Sequence, residues 1–271
     1  VRQGCVISPM LFDVFVDQLA REVKALKLGV EAGAERLALL LYADDIVVLA
    51  NSVEELQRMM KAVEGFCKRW RLQVNMSKTK VVEFGARGVG KAKVYWKGEE
   101  LEEVEEYKYL GMLVEKGGSW KKNKDRMLRK ARRAAALAWN MAVRMGDMSV
   151  KGMTSMWNAL VRPHLEYGAE VINSHNDFVW EEAEKLARKI GRRVLKCGKR
   201  LPNDAIMGEL GWMTMRGRRM LLRLSYWSKI LAMEDGRWVK KVYEHGRRRL
   251  EKNGRANTWC NLTRKWLRDL G

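Results

Sequence analysis

The chain has 271 residues, 47% of them hydrophobic, and carries 53 Lys+Arg against 33 Asp+Glu, a formal net charge of +20. That apolar fraction excludes a disordered chain, and no apolar run approaches the roughly 20 residues of a membrane span. Four widely separated cysteines and three histidines exclude a disulfide framework and a structural zinc site, so reduced thiols in an intracellular protein are expected.

Taken in chain order, the start Val1-Arg2-Gln3-Gly4 is neither an initiator Met nor a signal peptide, and it reads as a beginning inside a domain. Ser8 as N-cap with Pro9 behind it opens a helix over 9–27, with Leu11, Phe15, Leu19 or Gln18, Val23 and Leu26 at helical spacing. Two apolar runs, Leu37 to Leu41 and Ile46 to Ala50, flank the polar turn Tyr42-Ala43-Asp44-Asp45 and predict a β-hairpin. Ser52 and Glu55 form a capping-box pattern for a helix over 53–71, striped by Val53, Leu56, Met60, Val63, Phe66 or Cys67, and Trp70. Strands are predicted over 79–84, 94–97 and 107–114, with an acidic connection at 101–106. Beyond Lys116 the period is helical, over 120–145, 151–161, 178–197, 203–209, 216–233, 236–250 and 257–269. Gly and Pro at Gly117-Gly118, Gly146, Pro163, Gly198 to Pro202 and Gly208 to Gly211 punctuate these helices. The pattern is α+β, an antiparallel sheet with packed helices followed by an all-α region. The segments are 1–115, 116–200 and a basic helical 201–271.

Charge follows the same division. Residues 1–110 hold 17 basic and 17 acidic side chains, whereas the remainder holds 36 and 16. A surplus of that size suits a polyanion such as a phosphate backbone, a solvated helical surface being the plainer alternative. It is densest at Lys121, Lys122, Lys124, Arg126, Arg129, Lys130, Arg132 and Arg133, which face only Asp125. Nine of the eleven tryptophans also lie after residue 115, where they either fill helix interfaces or stack on bases.

Four motifs carry chemistry. Asp44 and Asp45 are adjacent carboxylates whose repulsion a hard divalent cation relieves, which suggests Mg²⁺; Asp as a turn former is the bland alternative. In Arg2 to Phe12, Gly4 allows close approach to the backbone and Gln3 offers a donor and an acceptor, which suits a nucleotide as well as a simple capping loop. Lys78, in the turn Asn75-Met76-Ser77-Lys78, can supply charge or a proton to a leaving pyrophosphate, or merely be solvated. Tyr107-Lys108-Tyr109-Leu110-Gly111 sets aromatic rings beside a glycine. Gly85 to Ala92 nearly matches a phosphate-binding P-loop, but Ala92 lacks the required hydroxyl and a strand rather than a helix follows.

In this order the blocks Arg2–Phe12, Tyr42–Asp45, Leu72–Thr79 and Tyr107–Gly111 resemble the reverse transcriptase domain of non-LTR (LINE-type) retrotransposons. The stretch Val161–Gly168 is similar to the helical region after the palm. The resemblance implies RNA-directed DNA polymerisation with an RNA template, a DNA primer and deoxynucleoside triphosphates, inside the cell and in the nucleus at the integration site. Two Mg²⁺ ions would activate the primer 3′-hydroxyl and stabilise the leaving pyrophosphate. Asp44 and Asp45 would be catalytic metal ligands; Tyr42 and Ala43 would line the primer end, with Gln3 and Gly4 on the nucleotide. Lys78 would sit by the phosphates, and Tyr109, Leu110 and Gly111 would form the primer grip. Residues 1–115 would be a partial palm, and the basic helices a thumb on the template-primer. The fingers and the palm half with the other metal-binding Asp precede these blocks in the family, so the isolated chain is expected to be inactive. A non-catalytic RNA- or DNA-binding protein and a group II intron maturase are the competing readings.

Overall fold

The computed structural model of the chain describes residues 4–33, 35–85, 93–146, 148–172, 178–198, 200–253 and 259–269. The chain divides into two compact units, Val1–Tyr107 with Glu115–Gly118, and Lys108–Val114 with Ser119–Gly271. The mixed α+β class expected from the sequence is the one observed, with antiparallel hairpins and helices in the first unit and helices dominating the second.

The first unit opens with α1 (Ser8–Ala25), in whose first turn Pro9 needs no N–H partner. The predicted cap is displaced: Ile7 is the N-cap residue, and no side chain caps the helix. Val16, Leu19, Ala20 and Val23 form its buried face, whereas Leu11, placed on the apolar stripe by spacing alone, is 58% exposed. Two antiparallel hairpins follow, β1 (Val30–Ala32) with β2 (Glu35–Leu37), and β3 (Leu39–Tyr42) with β4 (Asp45–Val48). The sequence reading missed the first hairpin. Gly29 precedes it at φ +121°, where a Cβ would lie 2.6 Å from the Leu37 carbonyl oxygen, so a larger residue would clash.

Helix α2 (Val53–Trp70) starts as the sequence predicts, with the Ser52 hydroxyl accepting from the Glu55 N–H at 3.2 Å. The Glu55 carboxylate reaches back to the Asn51 N–H at 3.1 Å, one residue earlier than in a standard capping box. Phe15 of α1 packs on Phe66 and Trp70 at centroid distances of 5.4 and 5.2 Å. Arg69 forks onto both oxygens of Glu22 at 3.0 Å each, a bidentate pair that fixes the two helices in register. The strand predicted over 79–84 reduces to one parallel bridge between Val81 and Glu103. A strand persists only where its N–H and C=O groups find partners, and here the ladder is limited to the bonds of Val81 with Glu102 and Val104. β5 (Tyr95–Trp96) and β6 (Glu99–Glu100) make a short hairpin, and the Gln57 amide exchanges two hydrogen bonds with the Tyr95 backbone, at 2.7 and 2.9 Å.

The predicted single strand over 107–114 is instead a hairpin, β7 (Glu106–Tyr109) with β8 (Met112–Glu115). Leu110 and Gly111 both take positive φ, +45° and +81°, the signature of a type I′ turn that reverses the chain. The tip of this hairpin is clasped within the second unit. The Tyr167 hydroxyl donates to the Leu110 carbonyl at 2.5 Å, Arg126 donates to the Gly111 carbonyl at 3.5 Å, and Asn123 accepts from the Leu113 N–H at 3.0 Å.

The helices of the second unit are α3 (Lys121–Arg144), α4 (Val150–Met156), a π-helical turn (Trp157–Val161), and α5 (Arg162–Glu166). They continue with α6 (Phe178–Val194), α7 (Asn203–Glu209), α8 (Met215–Ala232), α9 (Trp238–Asn253) and α10 (Trp259–Asp269). Pro163, read as a break, sits in the first turn of α5, where helix geometry tolerates it. Trp157 and Trp212 stack at 4.8 Å near the centre of the core, among Leu165, Ala187, Ile206 and Met215.

Two arginines are buried in this unit. The Arg219 guanidinium lies 3.3 Å from the Trp180 ring centroid and donates to the Leu165 carbonyl at 3.1 Å. Arg223, fully buried, donates to the Ile172 carbonyl at 2.5 Å and stands 5.3 and 5.1 Å from the rings of Trp259 and Trp266. Burial pushes Arg219 down to about 9 and Arg223 down to about 10, so both remain cations at neutral pH.

Truncating Arg223 removes the stem that packs between the two indoles. Arg223→Ala should lower unfolding stability in urea by about 2–4 kcal/mol, whereas Arg223→Met, which keeps the bulk and removes the charge, should stay within about 1.5 kcal/mol of the parent. Equal losses in the two variants would show that the charge matters and not the packing. At the hairpin tip, a Cβ on Gly111 would lie 3.1 Å from the Tyr167 hydroxyl oxygen at a φ of +81°. Gly111→Ala should therefore cost about 1–3 kcal/mol, and Tyr167→Phe about 1 kcal/mol from the lost hydrogen bond, both read by thermal or urea melts.

Candidate active site and nucleic-acid surface

The two apolar runs around the acidic turn pair Leu39 with Val48, Leu40 with Val47, Leu41 with Ile46, and Tyr42 with Asp45, leaving Ala43-Asp44 as a two-residue turn. Ala43 has φ +49°, a left-handed conformation that costs a residue with a Cβ roughly 1–2 kcal/mol. Glycine ordinarily fills such positions. The turn sets Asp44 at the apex and Asp45 at the first position of β4, both exposed. Neither carboxylate makes an ion pair or side-chain hydrogen bond among the described residues. Tyr42 beside them is 63% exposed.

Among the described residues no group of three His, Cys, Asp or Glu side chains could enclose a metal ion. Magnesium, however, is commonly bound through one or two carboxylates, with waters and substrate phosphates completing its shell. Two adjacent carboxylates without a competing cation fit such an open donor set. The flanks of the hairpin are apolar and exposed at Leu40, Leu41 and Ile46, as is one face of α1 at Met10, Leu11 and Val14.

Gln3 lies outside the described residues. Gly4 has φ +85° and no atom within 4 Å of where a Cβ would stand, so its backbone is open to approach. Lys78 is exposed on a turn organised by Asn75, whose Oδ1 accepts from the Lys78 N–H at 3.2 Å and from the Ser77 hydroxyl at 2.7 Å. The Tyr107 hydroxyl donates to the Lys78 carbonyl at 3.0 Å, so the structure joins the start of the Tyr107–Gly111 block to the lysine turn. Tyr109 and Leu110 are half-buried and Gly111 is exposed at the turn described above. Tyr167 and Asn123, which hold that turn, were not singled out by the sequence, because nothing local marks a partner 57 residues away, as Tyr167 is from Leu110, or ten residues away across an intervening loop, as Asn123 is from Leu113. Of the Gly85–Ala92 stretch only Gly85 is described.

The basic surface is narrower than the sequence reading made it. Lys121, Lys122, Arg129, Lys130 and Arg133 are exposed on α3, and Arg132 is exposed but paired with Glu182 at 2.9 Å. Lys124 is a correction. It falls in the buried stripe formed by Asn123, Met127, Leu128 and Ala131, is 6% exposed, and points its ammonium at the Trp180 ring, 5.8 Å from the centroid. Arg126 is half-buried and engaged at the hairpin tip.

Residues 1–114 match the family model described as reverse transcriptase (RNA-dependent DNA polymerase). The RNA-directed DNA polymerase from mobile element jockey of Drosophila funebris is 24% identical over 220 residues, 74% of this chain and 24% of that protein. Its Drosophila melanogaster counterpart is 25% identical over 178 residues, 63% of this chain and 19% of that protein. The Pol polyprotein from type-1 retrotransposable element R2 of Nasonia vitripennis is 29% identical over 128 residues, 44% of this chain and 12% of that protein. The chain thus spans about a quarter or less of the length of these relatives. The family match thus lies in the first unit and stops short of half the chain, and the relatives are named for the RNA-directed DNA polymerase or Pol polyprotein of mobile elements.

Proposed function

We propose that this chain is part of the polymerase of a non-LTR element, extending a DNA primer along an RNA template with deoxynucleoside triphosphates in the nucleus. The observation that supports it most is the exposed, unpaired carboxylate pair Asp44-Asp45 at a strained hairpin tip. In this reading residues 1–115 are a partial palm, 116–200 the thumb, and 201–271 a basic helical extension.

Reverse transcriptases generally use divalent metal ions; here Asp44 and Asp45 would hold magnesium. When bound, the ions supply the charge that offsets the phosphates and polarise the phosphoryl oxygens. Tyr42 and Ala43 line the primer end and the incoming nucleotide, and Gln3 and Gly4 approach that nucleotide from the loop before α1. Lys78 places a cation at the leaving pyrophosphate. Tyr109, Leu110 and Gly111 support the primer end on a turn whose carbonyls Tyr167 and Arg126 hold in place.

A two-metal site has ions roughly 3.5–4 Å apart and needs ligands on both sides of them. One hairpin tip supplies one side. The fingers and the palm strand with the second aspartate would come from sequence outside these 271 residues, and the exposed Leu40, Leu41, Ile46, Met10 and Val14 are the surface they would cover. A second reading, a nucleic-acid-binding protein without catalysis, is favoured by the charge surplus beyond residue 110.

Primer extension separates the two. The isolated chain should not polymerise with Mg²⁺, and joining it to the fingers and palm half of a relative should restore synthesis. Asp44→Asn in that joined domain should cut the rate by roughly 10³-fold or more, the scale of losing a charge-stabilising group in an active site. Synthesis undiminished by Asp44→Asn would sink the polymerase reading. Binding offers a second check: five of the exposed cations of α3, Lys121, Lys122, Arg129, Lys130 and Arg133, should give log K against log salt a slope of roughly −4 to −5 on a duplex. A slope near zero would remove nucleic acid from the account.

A further inference from the structure

The helical unit contains a recess with a volume of about 420 Å³ between α3, α4, the π-helical turn and α6. Its floor is apolar, built from Ala138, Met153, Trp157 and Val161, all buried. Its mouth is basic, ringed by Arg132, Lys185, Lys189 and Arg193, with Glu182 the one acid. Glu182 is shared by Arg132 and Lys185 at 2.9 Å each, and the Lys185 hydrogen bond and charge hold its carboxyl below the ordinary value. Lys189 and Arg193 have no carboxylate partner among the described residues.

A second, more open recess of about 450 Å³ adjoins the first, sharing Trp139, Lys189 and Arg193 with it. At the junction the Arg193 guanidinium lies 5.0 Å from the centroid of the half-buried Trp139 ring. Lys185, Lys189 and Arg193 succeed one another at intervals of four residues, so they line one edge of α6, and Lys196 follows in the turn after it, at φ +51°, on the second recess. At 1.5 Å per residue the helical part of that row is about 12 Å long.

We propose that these joined recesses bind an unpaired stretch of nucleic acid, with one base inserted over the apolar floor beside Trp139 and the flanking phosphates laid along Lys185, Lys189, Arg193 and Lys196. The row of cations calls for a chain of anions rather than a single phosphate. The apolar floor calls for a base that can leave its stack, which an unpaired strand offers and a duplex does not. Trp139 and Arg193 together make the platform, an indole and a guanidinium plane on either of which a base can stack. This surface is distinct from the exposed cations of α3 assigned above to the duplex, and the inference does not rest on Asp44 and Asp45. An acidic helical peptide shares some of the required chemistry, and the experiment separates it.

The test uses the full chain and fluorescence anisotropy with a labelled 12-nucleotide single-stranded RNA, an RNA–DNA duplex of equal length, and polyglutamate as competitor. Trp139→Ala should weaken single-strand binding about tenfold, within the loss of about 1–3 kcal/mol per stacked base, and leave duplex binding within about twofold. Lys189→Glu with Arg193→Glu should lose single-strand binding more severely, whereas Arg129→Glu with Lys130→Glu should weaken the duplex preferentially. If Trp139→Ala does not fold, 4-thiouridine crosslinking to the parent chain decides, with adducts expected on the peptides of Trp139 and Arg193. Adducts confined elsewhere, charge reversals on α6 without effect, or polyglutamate displacing the RNA at equal charge would each overturn the proposal. Duplex binding unchanged by the α3 reversals would count against the α3 assignment and leave this one standing.

Discussion

Mutual repulsion among cations is the constraint to which the helical unit answers. Every favourable burial there must be made without trapping a guanidinium or ammonium away from something that can replace water. Aromatic faces and carbonyls do most of this: Arg219 and Lys124 share the Trp180 ring, Arg223 lies by Trp259 and Trp266, and carbonyls of Leu165 and Ile172 accept from the two arginines, although Arg223 Nε and Nη1 are buried without a hydrogen-bond partner. Glutamates take a second group, Glu182 holding Arg132 and Lys185, and Glu166 holding Arg162 and Arg218. Of the others, Lys121, Arg129, Lys130 and Arg133 of α3 face outward. The tryptophans therefore serve the fold first, and the high indole content follows from the high charge.

The first unit meets the opposite demand. Its charges balance, and the functional group proposed for it is an acid pair that, in that reading, must stay near solvent and close to its neighbour. A tight hairpin meets both conditions, because a two-residue turn leaves no room for the acids to withdraw. The strained Ala43 shows that the surrounding ladder, four paired positions long, is strong enough to impose that shape on a residue that resists it.

Much of this was readable from residue order. The cap of α2, the acidic hairpin and most helices of the second unit follow from local spacing and turn chemistry, which act over four residues or fewer. Apart from the short β1–β2 hairpin, what escaped was non-local. The strand expected at 79–84 lacked neighbours to pair with, and the run 107–114 is bent by Leu110, a residue with no turn preference, held by a tyrosine 57 positions on. Lys124 was misassigned because composition counts charges without asking which side of a helix they occupy. The cations of α6 were overlooked for a related reason, since Glu181, Glu182 and Glu184 dilute the charge in the sequence while Glu184 is buried. The hairpin that carries Asp44 and Asp45 was legible because the polar turn and its apolar flanks are contiguous in the sequence.

The π-helical turn Trp157–Val161 has a consequence of its own. Such a turn accommodates one residue more than a regular helix would, and each residue of an α-helix advances the side chains by about 100°. Because the wide turn absorbs the extra residue, deleting one position there would restore regular geometry with α4 and α5 nearly in their present register. The change would fall on Trp157 and Val161, which belong both to the turn and to the recess floor. A one-codon deletion would thus reshape the recess from within while leaving the amphipathic pattern on either side intact.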